Sequence, residues 1–362
     1  MKLLLVRLRL IGDVVFTTPV VHALKRRFPG SHLTYVVEPA AAPVLALNPH
    51  VDELIVAPRG RGLADLGRDL ALGRRLRAAR YDLAIDLHGG PRSSLLTWLS
   101  RAPIRIGYEV TGRSWMYTRR VARPRALRPR HSVENQWDLL AALGVPPPTR
   151  SRNPVEMTVD PAAARAVAGR LARAGVADDD RLIAIHVSAG NPFRRWPLAH
   201  FVALAAALAA ADPARRIVVT SGPSERGAAD EVIAGARSRL PEADRSRILA
   251  CGEFSIAELR ALVERAALYI GGDSGPLHVA SASQVPIVGL YGPTLPVRSE
   301  PWRDPAVIGE AVEVTGLLCR PCDQRRCVPG DFRCLTGISA GQVADAAERA
   351  LARARSKMSE RS

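Results

Sequence analysis

The sequence predicts an α/β protein with two doubly wound domains, each built on a parallel sheet. Apolar strands alternate with helices in the first half of the chain, the pattern stops at a proline-rich stretch, and it then starts again. The chain has 362 residues, of which 47% are hydrophobic. At about 100 to 200 residues per domain, this length predicts two domains rather than one.

The first half of the chain carries the first run of alternation. A buried strand at residues 2–8 leads through a short turn ending at Gly12 and Asp13 into an apolar-periodic helical segment, which Pro19 either starts or kinks. Further strand patterns lie at residues 33–38, 53–57 and 83–87, and helical patterns at residues 64–79 and 133–143. Strands that alternate with helices are expected to pair in parallel.

Three consecutive prolines at residues 146–148 separate the two runs, because they favour an extended linker. The second run has a helix at 161–175 and strands at 182–187, 217–220, 247–250, 268–272 and 287–291. We predict an N-terminal domain at 1–155, a C-terminal domain at 156–345, and a helix end with a basic tail at 346–362. Ligands bind at the carboxyl ends of open α/β sheets, so a cleft between the domains is the expected site.

The charge of the chain is distributed unevenly. Residues 1–155 hold 25 basic and 11 acidic side chains, net +14, whereas residues 156–362 hold 26 and 24, net +2. Only 3 of the 51 basic residues are lysine, a ratio that genome base composition would explain. Such a bias does not explain why the N-terminal half is more basic than the C-terminal half. The N-terminal half is therefore expected to face an anionic partner: a phosphorylated substrate, an anionic membrane surface or a nucleic acid.

The sequence contains no segment with the pattern of a secretion signal or a membrane span. Its longest apolar run, residues 201–211, is shorter than the roughly 18 residues that a spanning helix needs. We expect a cytoplasmic protein, and its five cysteines to be thiols or metal ligands rather than disulfides.

Asp13 is the first candidate for chemistry, because it follows the first strand at the carboxyl end of the predicted sheet. A carboxylate there could act as a general base facing the cleft. The alternative is a helix N-cap with no catalytic role.

The segment after the strand at 268–272 predicts an anion site. It places Asp273, Ser274, Gly275 and His278 at a helix start, where backbone N–H groups and the serine hydroxyl suit a phosphate or diphosphate. The alternative is a glycine-rich turn without a ligand. The segment is not Gly-x-Gly-x-x-Gly, and the chain has no Walker motif, which disfavours a dehydrogenase and a P-loop NTPase.

The loop after the strand at 182–187 adds a second group of candidates. Ser188, Gly190 and the two arginines Arg194 and Arg195 suit diphosphate recognition, since a guanidinium pairs with phosphate oxygens in a bidentate manner. Solvated surface arginines are the alternative.

Four cysteines, Cys319, Cys322, Cys327 and Cys334, lie within 16 residues. The first pair has the C-x2-C spacing common in zinc sites, so a structural, noncatalytic zinc is one interpretation; free thiols and disulfides are the others. Cys251 is expected to be a small core residue.

Six segments together resemble the heptosyltransferases of glycosyltransferase family 9. They are Gly12-Asp13 with Thr17-Thr18-Pro19, the run from Asp86 to Ser93, Arg105 to Tyr108, His186 to Gly190, Arg195-Trp-Pro-Leu, and Gly272 to His278, and they span roughly residues 1–345. The resemblance implies a GT-B fold, with two Rossmann-like domains facing each other across a cleft. It also implies inverting, metal-independent transfer from an ADP-linked heptose to the inner core of lipopolysaccharide.

The resemblance assigns roles to matching residues. Asp13 is the base; Asp273, Ser274 and Gly275 bind the donor diphosphate, with Asp273 near the sugar. The residues that complete the implied donor site are Ser188 and Gly190 in the hydroxyl loop, Arg194 where the family usually has lysine, Glu225 at the ribose, Phe254 at the adenine, and His278. No cofactor is implied for catalysis.

The implied acceptor is an anionic glycolipid, the phosphorylated, Kdo-bearing lipid A core, which would bring the protein to the inner face of the inner membrane as a peripheral protein. Between residues 111 and 130 there are seven arginines and no acid. We predict acceptor contacts at Arg92, Arg113, Arg119 and Arg120. Two alternatives stay open: a glycosyltransferase of the same fold with another nucleotide sugar or acceptor, and a noncatalytic binder of anionic surfaces or nucleic acid. If the chain is a heptosyltransferase, no nucleic-acid partner is expected.

Overall fold

The computed structural model describes residues 1–58, 63–122, 130–187 and 190–360, with the side chains of 63–66, 358 and 359 left aside. The chain divides into two compact units, Met1–Thr158 and Val159–Ser362. The domain boundary predicted after residue 155 lies three residues before this division.

The N-terminal unit is built on a parallel sheet of six strands within the described residues. The strands are β1 (Lys2–Val6), β2 (His32–Val37), β3 (Glu53–Val56), β4 (Leu83–Asp86), β5 (Ile104–Tyr108) and β6 (Arg119–Val121). Their spatial order is β3-β2-β1-β4-β5-β6. The helices are α1 (Ile11–Val15), α2 (Thr18–Arg27), α3 (Leu63–Ala78), α4 (Pro91–Leu99) and α5 (Ser132–Ala141).

The C-terminal unit repeats this plan over the residues described there. Its strands are β7 (Arg181–His186), β8 (Arg215–Thr220), β9 (Ile248–Leu249), β10 (Leu268–Gly272), β11 (Ile287–Tyr291) and β12 (Gly309–Glu313), in the parallel order β12-β11-β10-β7-β8-β9. The helices are α6 (Pro161–Arg173), α7 (Leu198–Ala211), α8 (Arg226–Ser238), α9 (Ile256–Arg265), α10 (Gly275–Ser281), α11 (Pro296–Ser299), α12 (Arg333–Thr336) and α13 (Ala340–Ser359).

The strand order fixes where each unit can bind a ligand. The chain builds one side of each sheet outward, returns to the centre and builds the other side, so the direction of winding changes between β1 and β4 and between β7 and β10. Loops after these strand pairs diverge and leave a crevice at the carboxyl edge. The loops in question begin at Arg7 and Leu87 in the first unit and at Val187 and Asp273 in the second.

The predicted doubly wound α/β class is confirmed, and the differences lie at the sheet edges. Central strands such as β1 are buried on both faces and read as continuous apolar runs. We did not predict β5, β6 or β12. The sequence of β6 is Arg-Arg-Val, and both β6 and β12 are largely accessible edge strands, so their patterns lack an apolar signal.

Two segments predicted with open boundaries are defined by the structure. Pro19 lies in the first turn of α2, which is separate from α1, so it starts a helix rather than kinking one. The segment after residue 345 continues α13, whose Ala346, Ala347 and Ala350 are fully buried in the core of the C-terminal unit. Among the described helices, none combines the length and the apolar character needed to cross a membrane.

Candidate functional site

Asp13 lies in α1, directly beyond the carboxyl end of β1. Its Oδ2 accepts a short hydrogen bond from the guanidinium of Arg7, which also donates to the carbonyl of Leu87 over 2.6 Å. Arg7 thus joins the loop after β1 to the loop after β4. The N-cap position of α1 is occupied by Leu10, so Asp13 does not cap that helix. Its side chain is 31% exposed, so the carboxylate that Arg7 orients is accessible to a ligand.

The loop after β4 is held by Asp86, a fully buried carboxylate. Its Oδ1 accepts from the backbone N–H groups of His88 and Gly89 at 2.9 and 2.8 Å, and its Oδ2 accepts from the hydroxyl of Tyr117 at 2.6 Å. Ser93 and Ser94 also donate to Oδ2. This network explains the run from Asp86 to Ser93, whose role the sequence did not reveal: it fixes the loop opposite Asp13.

His88 is a residue that sequence reasoning did not single out. Burial, and then the positive charge of Arg7, lower the pKa of its imidazole. A Cβ added at Gly90 would lie 3.2 Å from its Nε2, so the glycine makes room for the ring. The result is a neutral imidazole at neutral pH beside the Arg7 and Asp13 pair. The signal that could have found it is its position immediately after a buried strand at the winding change.

The predicted acceptor arginines occupy different environments. Arg92 donates to Asp69 and Glu38 and to the carbonyls of Ala57 and Pro58, so two carboxylates balance its charge. Arg113 donates to the carbonyl of Gly89 at 3.2 Å, on the loop opposite Asp13. Arg119 and Arg120 are exposed on the edge strand β6. Arg123, Arg125 and Arg128 fall outside the described residues.

Asp273 is the centre of the candidate donor site in the C-terminal unit. The carboxylate is 3% exposed. Its Oδ2 accepts a short hydrogen bond from the hydroxyl of Thr294 and lies 3.3 Å from Nη1 of Arg194, while its Oδ1 lies 3.5 Å from Nε2 of His278. The structure therefore brings together three residues that the sequence analysis assigned to the donor site, Asp273, Arg194 and His278, and places Thr294 beside them.

Ser274 begins the turn into α10. Its Oγ is buried and has no hydrogen-bond partner among the described residues. A buried hydroxyl without a partner costs about 1 to 3 kcal/mol, so a ligand oxygen that pairs with it recovers free energy. Ser188 lies outside the described residues, and Gly190 is exposed on the loop after β7.

Arg194 is held by a contact that the sequence did not indicate. Its Nε donates to Oε1 of Gln324 at 2.7 Å, and Nδ2 of Asn191 donates to the same oxygen at 2.8 Å. The rings of Phe193 and Phe332 pack with their centroids 5.5 Å apart. The cysteine-containing segment thus supports the loop that carries Arg194.

The two residues implied for the nucleoside lie on neighbouring loops. Glu225, in a 3-10 turn after β8, has its Oε1 3.5 Å from Nη2 of Arg195. Phe254 precedes α9, whose start is fixed by reciprocal hydrogen bonds between Ser255 and Glu258. The guanidinium of Arg170 lies 5.1 Å from the ring centroid of Phe254 and covers one face. A base stacking on Phe254 would use the other face.

His186, in the motif that carried part of the resemblance, has a structural role. It lies inside β7, is 3% exposed, and its Nδ1 is 2.9 Å from Oγ1 of Thr220. Burial lowers its pKa to about 4, so the ring is neutral and belongs to the core.

The four clustered cysteines are free thiols that line one small cavity together with Phe193 and Phe332. Burial raises the pKa of Cys334 and likewise that of Cys251, which is half-buried. Within the described residues no three of the four thiols converge to within 4.8 Å of one another. Their donor set suits zinc, but this arrangement would have to contract to bind one.

A cavity of about 550 Å³ lies elsewhere in the C-terminal unit. It is lined by residues that precede or begin β7, β10 and β11, among them Arg181, Ala267 and Pro286. It is therefore at the amino edge of the sheet, opposite Asp273, and we do not assign the donor to it.

Comparisons with known proteins give a consistent result. The family model described as glycosyltransferase family 9 (heptosyltransferase) matches residues 70–329. Lipopolysaccharide heptosyltransferase 3 of Escherichia coli is 28% identical over 300 residues, covering 82% of this chain and 84% of the relative. A solved glycosyl transferase family 9 protein from Veillonella parvula superposes with a TM-score of 0.81 at 25% identity and covers 97% of each chain.

The fold is shared with a ligand-bound enzyme as well. The solved E. coli heptosyltransferase WaaC with ADP-2-deoxy-2-fluoro heptose has a TM-score of 0.66 at 20% identity, over 96% of this chain and 99% of that one. Each of the two units is Rossmann-like, and the fold class is GT-B.

Proposed function

Because the chain belongs to glycosyltransferase family 9, the heptosyltransferase family, we propose that it transfers a heptose from ADP-heptose to the inner core of lipopolysaccharide, with inversion and without a catalytic metal. The observation that carries the proposal is the group formed by Arg194, Asp273 and Ser274 at the winding change of the C-terminal unit. The relative from E. coli named a lipopolysaccharide heptosyltransferase supports the acceptor, and the solved enzyme with an ADP-heptose analogue supports the donor.

The donor side of the reaction must accommodate a leaving diphosphate. Negative charge grows on the diphosphate oxygen as its bond to the sugar breaks, and cations or N–H groups fixed beforehand stabilise it most effectively. Arg194 supplies a guanidinium whose direction is set by Gln324 and Asp273. The hydroxyl of Ser274 and the backbone of Gly275 supply further contacts. Asp273, held by Thr294, is then the carboxylate nearest the sugar.

The acceptor side needs a base. The acceptor hydroxyl attacks the anomeric carbon on the face opposite the diphosphate, Asp13 takes its proton, and ADP leaves with the electron pair of the broken bond. One displacement of this kind inverts the anomeric centre. Arg7 orients Asp13, so a change at Arg7 should affect the reaction through the base.

Donor specificity is tested by thermal shift. If ADP binds the folded state, it raises the free energy of unfolding by mass action. The increase is about 2.7 kcal/mol at an ADP concentration 100 times its Kd. We expect ADP and ADP-sugars to raise the melting temperature and UDP to have little effect. Stabilisation by UDP-sugars instead would favour the alternative glycosyltransferase, and stabilisation by nucleic acid alone would favour the noncatalytic binder.

The acceptor proposal rests on the charge of the N-terminal half, net +14, and on the edge of its sheet. Arg119 and Arg120 are exposed there, and Trp115, 57% exposed, packs edge-on against Trp98. Exposed arginines and an exposed tryptophan on one unit are side chains that suit an anionic lipid interface. This surface would place the protein peripherally at the cytoplasmic face of the inner membrane.

Binding to acceptor-containing liposomes is expected to weaken as salt rises, because screening shortens the range of surface charges. The double variant R119Q/R120Q should bind measurably more weakly in co-sedimentation. The matched control is R173Q/R239Q, which removes two exposed arginines from the C-terminal unit and should bind like the wild type. Binding insensitive to both salt and R119Q/R120Q would contradict this account.

The four-cysteine segment carries a separate proposal, a structural zinc bound by Cys319, Cys322, Cys327 and Cys334. The contact between Gln324 and Arg194 gives such a zinc a role, since it would stabilise the segment that orients the donor-site arginine. It has no place in the chemical step.

A further inference from the structure

A second group of candidate metal ligands lies in the N-terminal unit, away from the cysteines. His22 is on α2, His50 precedes β3, and Glu156 follows the proline-rich segment. One ligand atom from each lies within 4.8 Å of the other two, the only such group of three among the described His, Cys, Asp and Glu residues. Neither the family resemblance nor the proposed reaction uses these residues.

We propose that His22, His50 and Glu156 bind a divalent transition-metal ion, with Zn²⁺ as the ion they fit best. Two imidazoles and one carboxylate are an established zinc donor set, with water as the fourth ligand. Each side chain is between 26% and 29% exposed, so an ion and its water can enter.

The distances support the assignment. Zinc bonds of about 2.0 to 2.2 Å in a tetrahedron place ligand atoms roughly 3.3 to 3.6 Å apart. Nδ1 of His22 lies 2.9 Å from Oε1 of Glu156, and Nε2 of His50 lies 3.9 Å from Oε2. The two rings are stacked, with centroids 4.5 Å apart and planes at 15°. Both nitrogens therefore lie near the same carboxylate, at separations within about 0.4 Å of the ligand spacing around zinc.

The supporting contacts hold the three ligands in place. The backbone N–H of Glu156 donates to the buried hydroxyl of Thr18 at 2.8 Å, and the N–H of His50 donates to Oδ1 of buried Asn48 at 2.9 Å. These two hydrogen bonds fix the backbone from which the side chains of Glu156 and His50 extend.

The local charges suit a cation. The ammonium of Lys25, which is on α2 with His22, is paired with Asp52 at 2.7 Å and with the carbonyl of Ser31. A bound ion would tie the end of the N-terminal unit to α2 and stabilise that unit.

The test is metal titration of the chelator-treated full chain. In the variant with Cys319, Cys322, Cys327 and Cys334 all changed to serine, we expect one Zn²⁺ per chain by calorimetry and a higher melting temperature with Zn²⁺. Co²⁺ should give visible d–d absorption without a sulfur-to-cobalt charge-transfer band. In the wild type, any additional ion with such a band reports the cysteine site.

The variants H22Q, H50Q and E156Q should each weaken binding by about tenfold or more. The matched control is H32Q, because His32 lies 3.9 Å from Glu53 in a comparable exposed pair without a third ligand. Zinc-dependent shifts of the imidazole signals of His22 and His50 in the ¹H–¹⁵N spectrum check the site without any substitution. Unshifted imidazole signals, absence of binding in the serine background, or equal binding by H50Q and H32Q would overturn the proposal.

Discussion

Asp13→Asn is expected to reduce heptosyl transfer by a factor of about 10² to 10⁴, the range typical of losing a general base. The substitution keeps the size of the side chain and removes its capacity to take a proton. ADP binding should be unchanged, because the donor group around Asp273 lies in the other unit. Turnover is measured as the rate of ADP release. The melting temperature without ADP reports folding, and its increase on addition of ADP reports donor binding.

The control for Asp13→Asn is Asp178→Asn, which changes an exposed carboxylate of the C-terminal unit. This variant should transfer heptose at the wild-type rate. Arg7→Gln should show an intermediate loss of kcat, since it removes the group that orients the base but not the base. Full turnover by Asp13→Asn would remove Asp13 from the mechanism.

Arg194→Ala is expected to weaken ADP binding by roughly 10- to 150-fold, the equivalent of about 1.5 to 3 kcal/mol for hydrogen bonds to a charged group. The variant loses the guanidinium that faces Asp273 and would meet the diphosphate. Calorimetry with ADP measures the loss, and the rate of ADP-heptose turnover should fall with it.

Two further variants separate the charge of Arg194 from its position. Arg194→Lys keeps the charge found at this position in the family but not the fork, so it should retain part of the affinity. Gln324→Ala leaves Arg194 intact and removes the oxygen that orients it, so a smaller loss in the same direction is expected. Arg173→Ala, an exposed arginine on α6, is the control. Unchanged ADP affinity in Arg194→Ala would exclude the assigned role.

The sequence was sufficient to predict the parts of the fold that depend on local pattern. Buried central strands leave continuous apolar runs. Asp273 follows such a run directly and Asp13 follows one after a short turn, so their place at the carboxyl edges was predictable. The edge strand β6 was not predictable, because it begins with two exposed arginines and is defined by its pairing with β5.

The contacts that hold the sites were beyond sequence reasoning because they join distant residues. Gln324 is 130 residues from Arg194, and Glu156 is 134 residues from His22. Arg92 was predicted as an acceptor contact from its charge and from the anionic acceptor that the family resemblance implies; its pairing with Asp69 and Glu38 depends on elements 23 and 54 residues away. The acceptor-binding role of Arg92 stays a prediction. The positive charge of its guanidinium is balanced by Asp69 and Glu38.

The central claim, inverting transfer from ADP-heptose, is tested most directly by incubating the purified chain with ADP-heptose and a defined inner-core acceptor in the presence of a chelator. We expect one equivalent of ADP released per heptose added, and a product whose anomeric configuration by NMR is opposite to that of the donor. Retention of the donor configuration, transfer that requires an added metal, or transfer from a UDP-sugar but not from ADP-heptose would contradict it.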